Sequence, residues 1–253
     1  MRQAGIVVAE TLYALCKNTQ PGITTGELAA IAAEVIDSYG AESAFLNYKP
    51  SGAKSGFPGV VCISVNDEVV HGIPGKRPLS EGDIVSFDIG VRLDGYCGDG
   101  AGTVPVGKVT EQAKKLLETT RLCLKKGIEK AKTGNRISDI GPTVQSTAES
   151  ADFGVVRELV GHGIGREVHE EPQVPNFVTA GFSPKIKSGL CIAIEPMITT
   201  GDWKVKELDD GWTIATVDGG LAAHFEHTIA VTENGPEILT LRENGKEGFD
   251  LSN

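Results

Sequence analysis

The sequence predicts an α+β domain made of two similar halves around one sheet. Two observations predict this fold class. The order helix, helix, strands occurs twice along the 253 residues, and no stretch rich in Pro, Gly and Ser divides the chain. The hydrophobic fraction of 40% and the charged fraction of 23% are typical of a globular domain. We therefore expect residues 1–253 to form a single domain.

The first half begins with two predicted helices. Residues 3–17 have the periodicity of an amphipathic helix. The second helix is predicted to begin at a capping box, TTGE at residues 24–27, and to run to Ser38, with Gly40 closing it. Residues 59–65, GVVCISV, are rich in β-branched side chains and predict a strand.

The second half repeats this order. Helices are predicted at residues 110–131 and about 138–152. Four strand candidates follow, at residues 153–160, 189–199, 212–217 and 221–232.

The composition excludes several classes of protein. The net charge of −10 and the pI near 5.0 argue against nucleic acid or an anionic membrane as the main partner. The five cysteines are widely spaced and form no CxxC, so a disulfide framework and a structural zinc knuckle are not expected. The N-terminus does not resemble a signal peptide, and no apolar run is long enough to span a membrane. We expect a cytoplasmic protein.

A β-hairpin is predicted within DIVSFDIGVRLDGYCGDG, because Asp-Gly at residues 94–95 is a strong two-residue turn signal. That turn places Asp88 opposite Ala101 and Asp99 opposite Gly90. Asp88 and Asp99 are then diagonal neighbours on one face, roughly 7–8 Å apart at the backbone. Two carboxylates at this separation can share a metal ion, although an Asp in a hairpin is often only a solvated turn residue.

Two glutamates also lie in buried-looking strand patterns. Glu195 ends the apolar run LCIAIE, and Glu226 lies within AHFEHTIAV. Each alone is equally well explained as a core residue with a hydrogen-bonding partner. Together with Asp88 and Asp99, however, they place four carboxylates in one core, and buried negative charge on that scale requires cations.

The histidines carry a weaker signal. His162 and His169 lie in GHGIGREVHEEP, which is too rich in glycine for a helix interior. Their odd spacing puts them on opposite faces of a strand, so they need not bind the same atom, and a bend between them is expected. His71 alone is more typical of a turn or core residue, and His224 and His227 are interpreted as structural. HExxH, GxSxG and the phosphate-binding GxxxxGK[ST] are all absent.

Taken together, these segments resemble the methionine aminopeptidases of the shorter, bacterial-type class. The motifs that carry the resemblance are NDEVVHGIP, DIVSFDIG with GYCGDG after it, GHGIGREVHEEPQV, IEPM and FEHT, in this order. The resemblance extends over nearly the whole chain. It implies the pita-bread fold, in which two pseudo-symmetric halves surround a curved antiparallel sheet with helices on its outer face.

The resemblance also implies a site with two divalent metal ions, which can be Mn, Fe(II), Co or Zn. The implied metal ligands are Asp88, Asp99, His162, Glu195 and Glu226. By analogy, Asp99 and Glu226 bridge the two ions and a metal-bridging water or hydroxide is the nucleophile. The implied catalytic residues are His71, His169 and Glu195, with both histidines contacting the substrate and Glu195 accepting a proton.

The resemblance places Phe57, Cys62 and Trp212 in an apolar pocket for the methionine side chain. The sequence departs from the family at three positions. Leu159 and Val168 stand where aromatic residues are usual, which changes the expected shape of the pocket. Gly100 follows Asp99 where Ser or Thr is usual, which removes a possible hydrogen bond behind a metal ligand.

The implied function is metal-dependent removal of the N-terminal methionine from newly made proteins, at the ribosome, by a cytoplasmic monomer. An Xaa-Pro aminopeptidase or dipeptidase of the same fold is the nearest alternative, although those enzymes usually carry a large N-terminal domain. A non-catalytic binding protein of this fold would be expected to lose ligands, and here all are present. In a calcium-binding protein, two substrate-facing histidines would be superfluous.

Overall fold

The computed structural model describes residues 1–50 and 54–251, which is the predicted domain without residues 51–53 and 252–253. The helices are α1 (Arg2–Asn18), α2 (Thr25–Ser38), α3 (Glu111–Ile128) and α4 (Gly141–Glu149), and a 3₁₀ turn (Ile137–Asp139) precedes α4. The strands of the first half are β1 (Glu42–Ser43), β2 (Cys62–Val65), β3 (Glu68–Val70), β4 (Ile84–Leu93) and β5 (Tyr96–Pro105). The strands of the second half are β6 (Gly154–Val155), β7 (Gly161–Gly163), β8 (Glu170–Val174), β9 (Cys191–Ile194), β10 (Met197–Thr199), β11 (Val205–Glu207), β12 (Ile214–Thr216), β13 (Ala222–His224), β14 (His227–Thr232) and β15 (Gly235–Ile238).

The first two helices form where the sequence has an apolar stripe at helical spacing or a capping motif. Helix α1 buries an apolar stripe at helical spacing that includes Val8, Leu12 and Leu15. Helix α2 begins at the predicted capping box, in which the Glu27 backbone N–H donates to Thr24 Oγ1 over 3.1 Å and the Thr24 N–H donates to Glu27 Oε2 over 2.8 Å. Both helices therefore confirm the prediction to within one residue at each end.

The β4–β5 hairpin has the predicted turn and the predicted register. Asp94 and Gly95 have φ values of 52° and 76°, as a two-residue turn of the primed type requires. Asp88 pairs with Ala101, and Gly90 pairs with Asp99. The two aspartates are therefore diagonal neighbours on one face of the hairpin.

Every strand pairing in the described residues is antiparallel, as expected. The strands form four separate sheets, however, and not one continuous sheet. They are β1-β4-β2 with β5 on β4, β13-β10-β6, β11-β12-β3 and β15-β14-β9-β7-β8. The predicted strands at 189–199 and 221–232 each break into two, at Glu195–Pro196 and at Phe225–Glu226. Both breaks fall at candidate ligands, where the chain leaves the ladder and turns a carboxylate inward.

Other strand predictions were only partly correct. Of the predicted strand 153–160, only β6 is formed, and of 212–217 only β12. The sequence analysis also missed β1, β3, β7, β8, β11 and β15, which are short strands of two to five residues. Such strands gain their stability from pairing with distant segments, so their local sequence predicts them poorly.

The two halves join where β5 runs antiparallel to residues 224–228, a contact that we call the seam. At its centre, the Glu226 N–H donates to the Ala101 carbonyl over 2.9 Å and the Ala101 N–H donates back over 3.3 Å. At one end, Thr228 Oγ1 accepts from the Asp99 N–H over 3.0 Å and donates to the Asp99 carbonyl over 2.7 Å. The backbones of Asp99 and Glu226 are therefore fixed against each other.

The other end of the seam mirrors the first. Thr103 Oγ1 accepts from the His224 N–H over 2.9 Å and donates to the His224 carbonyl over 2.8 Å. A threonine hydroxyl from each half thus replaces a backbone pair, which gives the seam an approximate local two-fold symmetry.

The buried core is continuous across the seam and includes the C-terminal segment. One hydrophobic cluster joins Leu15 and Phe87 of the first half to Ile192, Phe225 and Phe249 of the second. The sequence after about residue 244 carries no recognisable pattern, yet Phe249 is 7% exposed and packs edge-on against Phe225 with ring centroids 5.0 Å apart.

Two further properties concern the whole of the described chain. None of its helices combines the length and the apolar character needed to cross a bilayer. All five of its cysteines are free thiols.

Candidate functional site

A cavity of about 300 Å³ opens at the seam and contains the predicted site residues. Its floor is polar and its walls are apolar and aromatic. The predicted residues that line it are Phe57, Cys62, His71, Asp88, Asp99, Leu159, His162, His169, Glu195, Trp212 and Glu226. Residues that are far apart in the sequence therefore meet in one place.

The four carboxylates on the floor come from three places in the fold. Asp88 and Asp99 project from β4 and β5 on one face of the hairpin. Glu195 follows β9 directly, and Glu226 lies between β13 and β14. Asp99 and Glu226 are buried, whereas Asp88 and Glu195 are partly buried.

His162, on β7, presents its Nε2 atom to these carboxylates. Its Nδ1 lies 2.9 Å from the Gly163 carbonyl, to which it donates, so Nε2 carries the lone pair. Nε2 lies 3.4 Å from Glu195 Oε1 and 3.8 Å from Asp99 Oδ2. Ligand atoms of Asp99, His162 and Glu226 all lie within 4.8 Å of one another.

This arrangement fits divalent metal ions. Within the described part of the chain, three buried carboxylate oxygens have no hydrogen-bonding partner: Asp88 Oδ1, Asp99 Oδ1 and Glu226 Oε1. They line the same cavity as the His162 lone pair, and unpartnered buried acceptors are costly unless a cation compensates them. Carboxylate and imidazole ligands suit Mn, Fe, Co or Zn.

The pKa values of the site residues reflect the same excess of buried negative charge. Burial raises the pKa of Asp88 to about 7, although a hydrogen bond with Asp99 opposes the shift. Burial also raises the pKa of Asp99, Glu195 and Glu226 well above the usual range, and neighbouring carboxylates add to it. Burial and the neighbouring His169 lower the pKa of His162 to about 4, so this ring is neutral and able to act as a ligand.

His169 has a different environment from His162, although their ring centroids are only 4.4 Å apart. The chain bends between them, as the glycines predicted, so that His162 is buried and His169 is exposed at the mouth of the cavity. Tyr48 Oη lies 2.7 Å from His169 Nδ1. Although the residue as a whole is exposed, neighbouring groups partly desolvate its ring, which lowers the pKa of His169.

His71 lines the same cavity, beside Trp212, with an unusual backbone conformation. Its φ of 60° is unusual for a residue with a Cβ and is commonest at functional sites. Its ring stands edge-on to Trp212 with centroids 6.4 Å apart. Burial, together with His169, lowers the pKa of His71 to about 4.

The apolar wall is centred on Phe57 and Trp212, whose ring centroids are 5.2 Å apart in an edge-on contact. Cys62 is buried and pairs with Asp88 across β2 and β4, so it joins the wall to the carboxylate floor. Leu159 lines the cavity directly. Val168 lies behind the wall, in a buried cluster with Phe57 and Cys62.

The structure adds three residues that the sequence analysis did not place at the site. Tyr48 contacts His169, Thr228 holds the backbone of Asp99, and His224 faces Glu195. The alternation of His224 with Glu226 was visible in the sequence, but the other two contacts join distant segments. Thr228 also supplies support behind Asp99 that Gly100, which lacks a side chain, cannot give.

The chain is similar to known proteins over most of its length. The model of metallopeptidase family M24 matches residues 1–233. Methionine aminopeptidase from Clostridium perfringens is 51% identical over 241 residues, which cover 95% of this chain and 94% of that protein. Methionine aminopeptidase 1 from Bacillus subtilis is 50% identical over 240 residues, covering 95% and 94%.

Solved structures show the same similarity. Methionine aminopeptidase from Thermotoga maritima aligns with a TM-score of 0.90 at 45% identity, over 96% of this chain and 95% of that one. Prolidase from Pyrococcus furiosus shares the fold, with a TM-score of 0.73 at 21% identity, over 96% of this chain but 63% of its own. The extent of these matches and the carboxylate–imidazole floor lead to one conclusion: the chain belongs to metallopeptidase family M24.

Proposed function

We propose that this protein is a methionine aminopeptidase, which hydrolyses the first peptide bond of chains that begin with methionine. The observation that carries the proposal is the joining of two features in one cavity, a floor of four carboxylates with His162 and an apolar wall centred on Phe57 and Trp212. The first suits metal-dependent hydrolysis, and the second suits an unbranched apolar side chain.

Two divalent ions are proposed to bind at the floor. Four carboxylates carry four negative charges when ionised, and two divalent cations neutralise that charge, whereas one leaves half of it buried. The proposed ligands are Asp88, Asp99, His162, Glu195 and Glu226. When bound, such ions supply positive charge that polarises the scissile carbonyl, anchors the substrate's amine and lowers the pKa of a water molecule.

The two histidines at the mouth are proposed to act on the peptide. Tyr48 lies at His169 Nδ1, so a Tyr48 hydroxyl that donates there leaves His169 Nε2–H to donate to the oxygen of the scissile carbonyl. His71, which lines the cavity beside Trp212, is proposed to contact the backbone after the cleaved bond. Because each ring is neutral, each can offer an N–H at neutral pH.

Glu195 is proposed to accept a proton from the attacking water and to deliver it to the leaving amine. It is the carboxylate that directly follows a strand and precedes a proline, with its side chain 13% exposed at the floor. Proton transfer then returns the carboxylate to its starting state, and the products are free methionine and the shortened peptide.

Selectivity for methionine is proposed to come from the apolar wall. Phe57, Cys62 and Trp212 supply a surface that offers no partner to a charged or strongly polar side chain. Leu159 also lines the cavity and adds apolar surface that is not aromatic.

The cellular setting proposed here follows from the substrate. N-terminal methionines are exposed on nascent polypeptides, so we propose a cytoplasmic monomer that acts near the ribosome. We also propose that the chain is a single catalytic domain, a view supported by the hydrophobic cluster that crosses the seam.

The test is to assay metal-free protein, and the same protein reloaded with Mn, Fe(II) or Co, on Met-Ala- and Xaa-Pro-starting peptides. We expect metal-dependent release of methionine and no release from a Met-Ala peptide whose amine is acetylated. Metal-independent release, or preference for Xaa-Pro, would overturn the assignment. Binding of the Met-Ala peptide without turnover by every reloaded form would identify a non-catalytic protein instead.

A further inference from the structure

His224 is a buried imidazole whose position the fold fixes closely. It ends β13, pairs with Met197 of β10 and is 1% exposed. Thr103 bonds both its N–H and its carbonyl across the seam. The backbone position is therefore fixed, and the near-complete burial of the side chain restricts the direction of the ring.

The ring points toward the carboxylate floor. Its Nε2 lies 3.7 Å from Glu195 Oε2 and 4.0 Å from Glu226 Oε2. Among the described residues, neither Nδ1 nor Nε2 of His224 has a hydrogen-bonding partner. A buried imidazole is usually satisfied, so this unpartnered ring requires an explanation.

Comparison with His162 indicates which nitrogen carries the proton. In His162 the Gly163 carbonyl accepts from Nδ1, so the lone pair is on Nε2. His224 has no such acceptor at Nδ1, and the acceptors near its ring are the carboxylate oxygens at Nε2. A neutral His224 ring is therefore more stable with its proton on Nε2, facing Glu195.

Glu195 lies between these two rings. Its Oε1 is 3.4 Å from His162 Nε2, and its Oε2 is 3.7 Å from His224 Nε2. One oxygen thus faces a lone pair and the other faces the nitrogen that has a proton to donate. The two oxygens of a single carboxylate are distinguished by their neighbours.

We propose that His224 is a positioning residue for Glu195. Its Nε2–H holds Glu195 Oε2, so that Oε1 is presented toward His162, the side on which the proposed ion would be held. The separation exceeds a direct hydrogen bond of about 3 Å, and a small rotation of the Glu195 side chain closes it. The inference rests on the proposed metal site and assigns a role to a residue that the sequence alone indicates to be structural.

Three substitutions test which atom acts. In His224→Gln the amide nitrogen reaches about as far as Nε2, in His224→Asn it reaches only as far as Nδ1, and His224→Leu removes both. Calorimetric titration with Mn²⁺ is the primary measurement, because it requires no substrate. We expect about 10- to 100-fold weaker Mn²⁺ binding in the Asn and Leu variants. The Gln variant should recover most of the affinity and of kcat.

The matched control is His227→Gln, which alters the imidazole on the other side of Glu226. His227 is bonded to Thr240 and Glu247 and serves the C-terminal segment instead. We expect this control to lower the melting temperature of the metal-free protein and to leave Mn²⁺ affinity nearly unchanged.

Three results would overturn the inference: unchanged Mn²⁺ affinity in His224→Leu, a Gln variant no better than the Asn variant, or loss of one bound ion in His224→Leu. The last result would make His224 a direct ligand. Melting of each metal-free variant shows whether it is folded. If wild-type protein binds Mn²⁺ but releases no methionine, the proposed function fails while the role of His224 can still be measured.

Discussion

Tyr48 Oη lies 2.7 Å from His169 Nδ1, and the two rings are tilted at 49° with centroids 5.0 Å apart. The contact joins a loop of the first half to the bend that follows β7 in the second. It orients a ring that is otherwise exposed at the mouth of the cavity. Because the hydroxyl occupies Nδ1, the other nitrogen of His169 is directed at the cavity.

The first prediction concerns this contact. Tyr48→Phe should lower kcat about five-fold, because one hydrogen bond contributes about 1 kcal/mol. Metal stoichiometry should not change. Tyr96→Phe is the matched control, since the Tyr96 hydroxyl contacts only the exposed Arg166 side chain, at 3.4 Å. Equal kinetic losses in the two variants would contradict a specific role for Tyr48.

The second prediction separates the two histidines of GHGIGREVHEEP. His162→Ala should lose bound metal, because its buried Nε2 faces the carboxylates. His169→Ala should retain its metal and lose turnover, since His169 lies at the mouth. Atomic absorption after gel filtration measures the metal content. Equal metal loss in both variants would refute this division of roles.

The third prediction concerns the pH dependence of the metal-free protein. Its buried carboxylates have raised pKa values, so above pH ~4.5 the unfolded chain releases protons that the folded chain keeps, and stability falls as pH rises. Its imidazoles have lowered pKa values, so up to pH ~6.5 the unfolded chain holds protons that the folded chain lacks, and stability rises. Above pH ~6.5 only the carboxylate effect is left.

The melting temperature of metal-free protein should therefore fall between pH ~6.5 and ~8, through the pKa of Asp88 at about 7. Saturating Mn²⁺ should reverse the fall, because the ion replaces the protons that these carboxylates lose. Asp88→Asn is the control and should show a shallower decline. Rising stability of the metal-free protein over this range would contradict the prediction.

The fourth prediction concerns the seam. Thr228→Val keeps the shape of the side chain but leaves the Asp99 N–H and carbonyl without the hydroxyl that bonds both. We expect a loss of about 1–3 kcal/mol in the free energy of unfolding, together with weaker Mn²⁺ binding. Thr232→Val, on the same strand, loses its hairpin contacts with the Gly235 carbonyl and the Asn234 N–H, which lie away from the seam. A similar loss of Mn²⁺ affinity in the control would show that the seam is not the cause.

The fifth prediction concerns the C-terminal segment. Phe249→Ala should lower the free energy of unfolding by about 3–5 kcal/mol, because it opens a cavity against Phe225. Urea denaturation measures the change. Leu251→Ala is the control, since Leu251 is 49% exposed, and should have little effect. Equal stability of the two variants would show that this segment does not belong to the core.

Much of the site could be predicted from the sequence because the turns and pairings that position it involve residues close together in the chain. The Asp-Gly turn sets the register of the hairpin, and this register places Asp88 beside Asp99. The capping box at Thr24 acts within four residues in the same way. Such features depend on the backbone preferences of a few neighbouring residues, which the sequence displays directly.

The features that could not be predicted depend on contacts between distant segments. Phe249 follows no apolar periodicity, and its burial depends on Phe225 and the first half. His224 alternates with Glu226 as any strand residue can, and only the pairing of β13 with β10 directs its ring at Glu195. Likewise, the breaks at Glu195 and Glu226 divide strands that appear continuous in the sequence.

The seam has a consequence for the order in which activity can appear during synthesis. Asp99 and Thr228 are 129 positions apart, and each half supplies part of the proposed ligand set. A chain that has been translated only through the first half contains two of the proposed ligands, Asp88 and Asp99. It lacks the three that the second half supplies. The ability to cleave peptides therefore arises only after Glu226 has left the ribosome and the halves have docked. Recovery of hydrolysis during refolding would accordingly report the last docking event rather than the folding of either half.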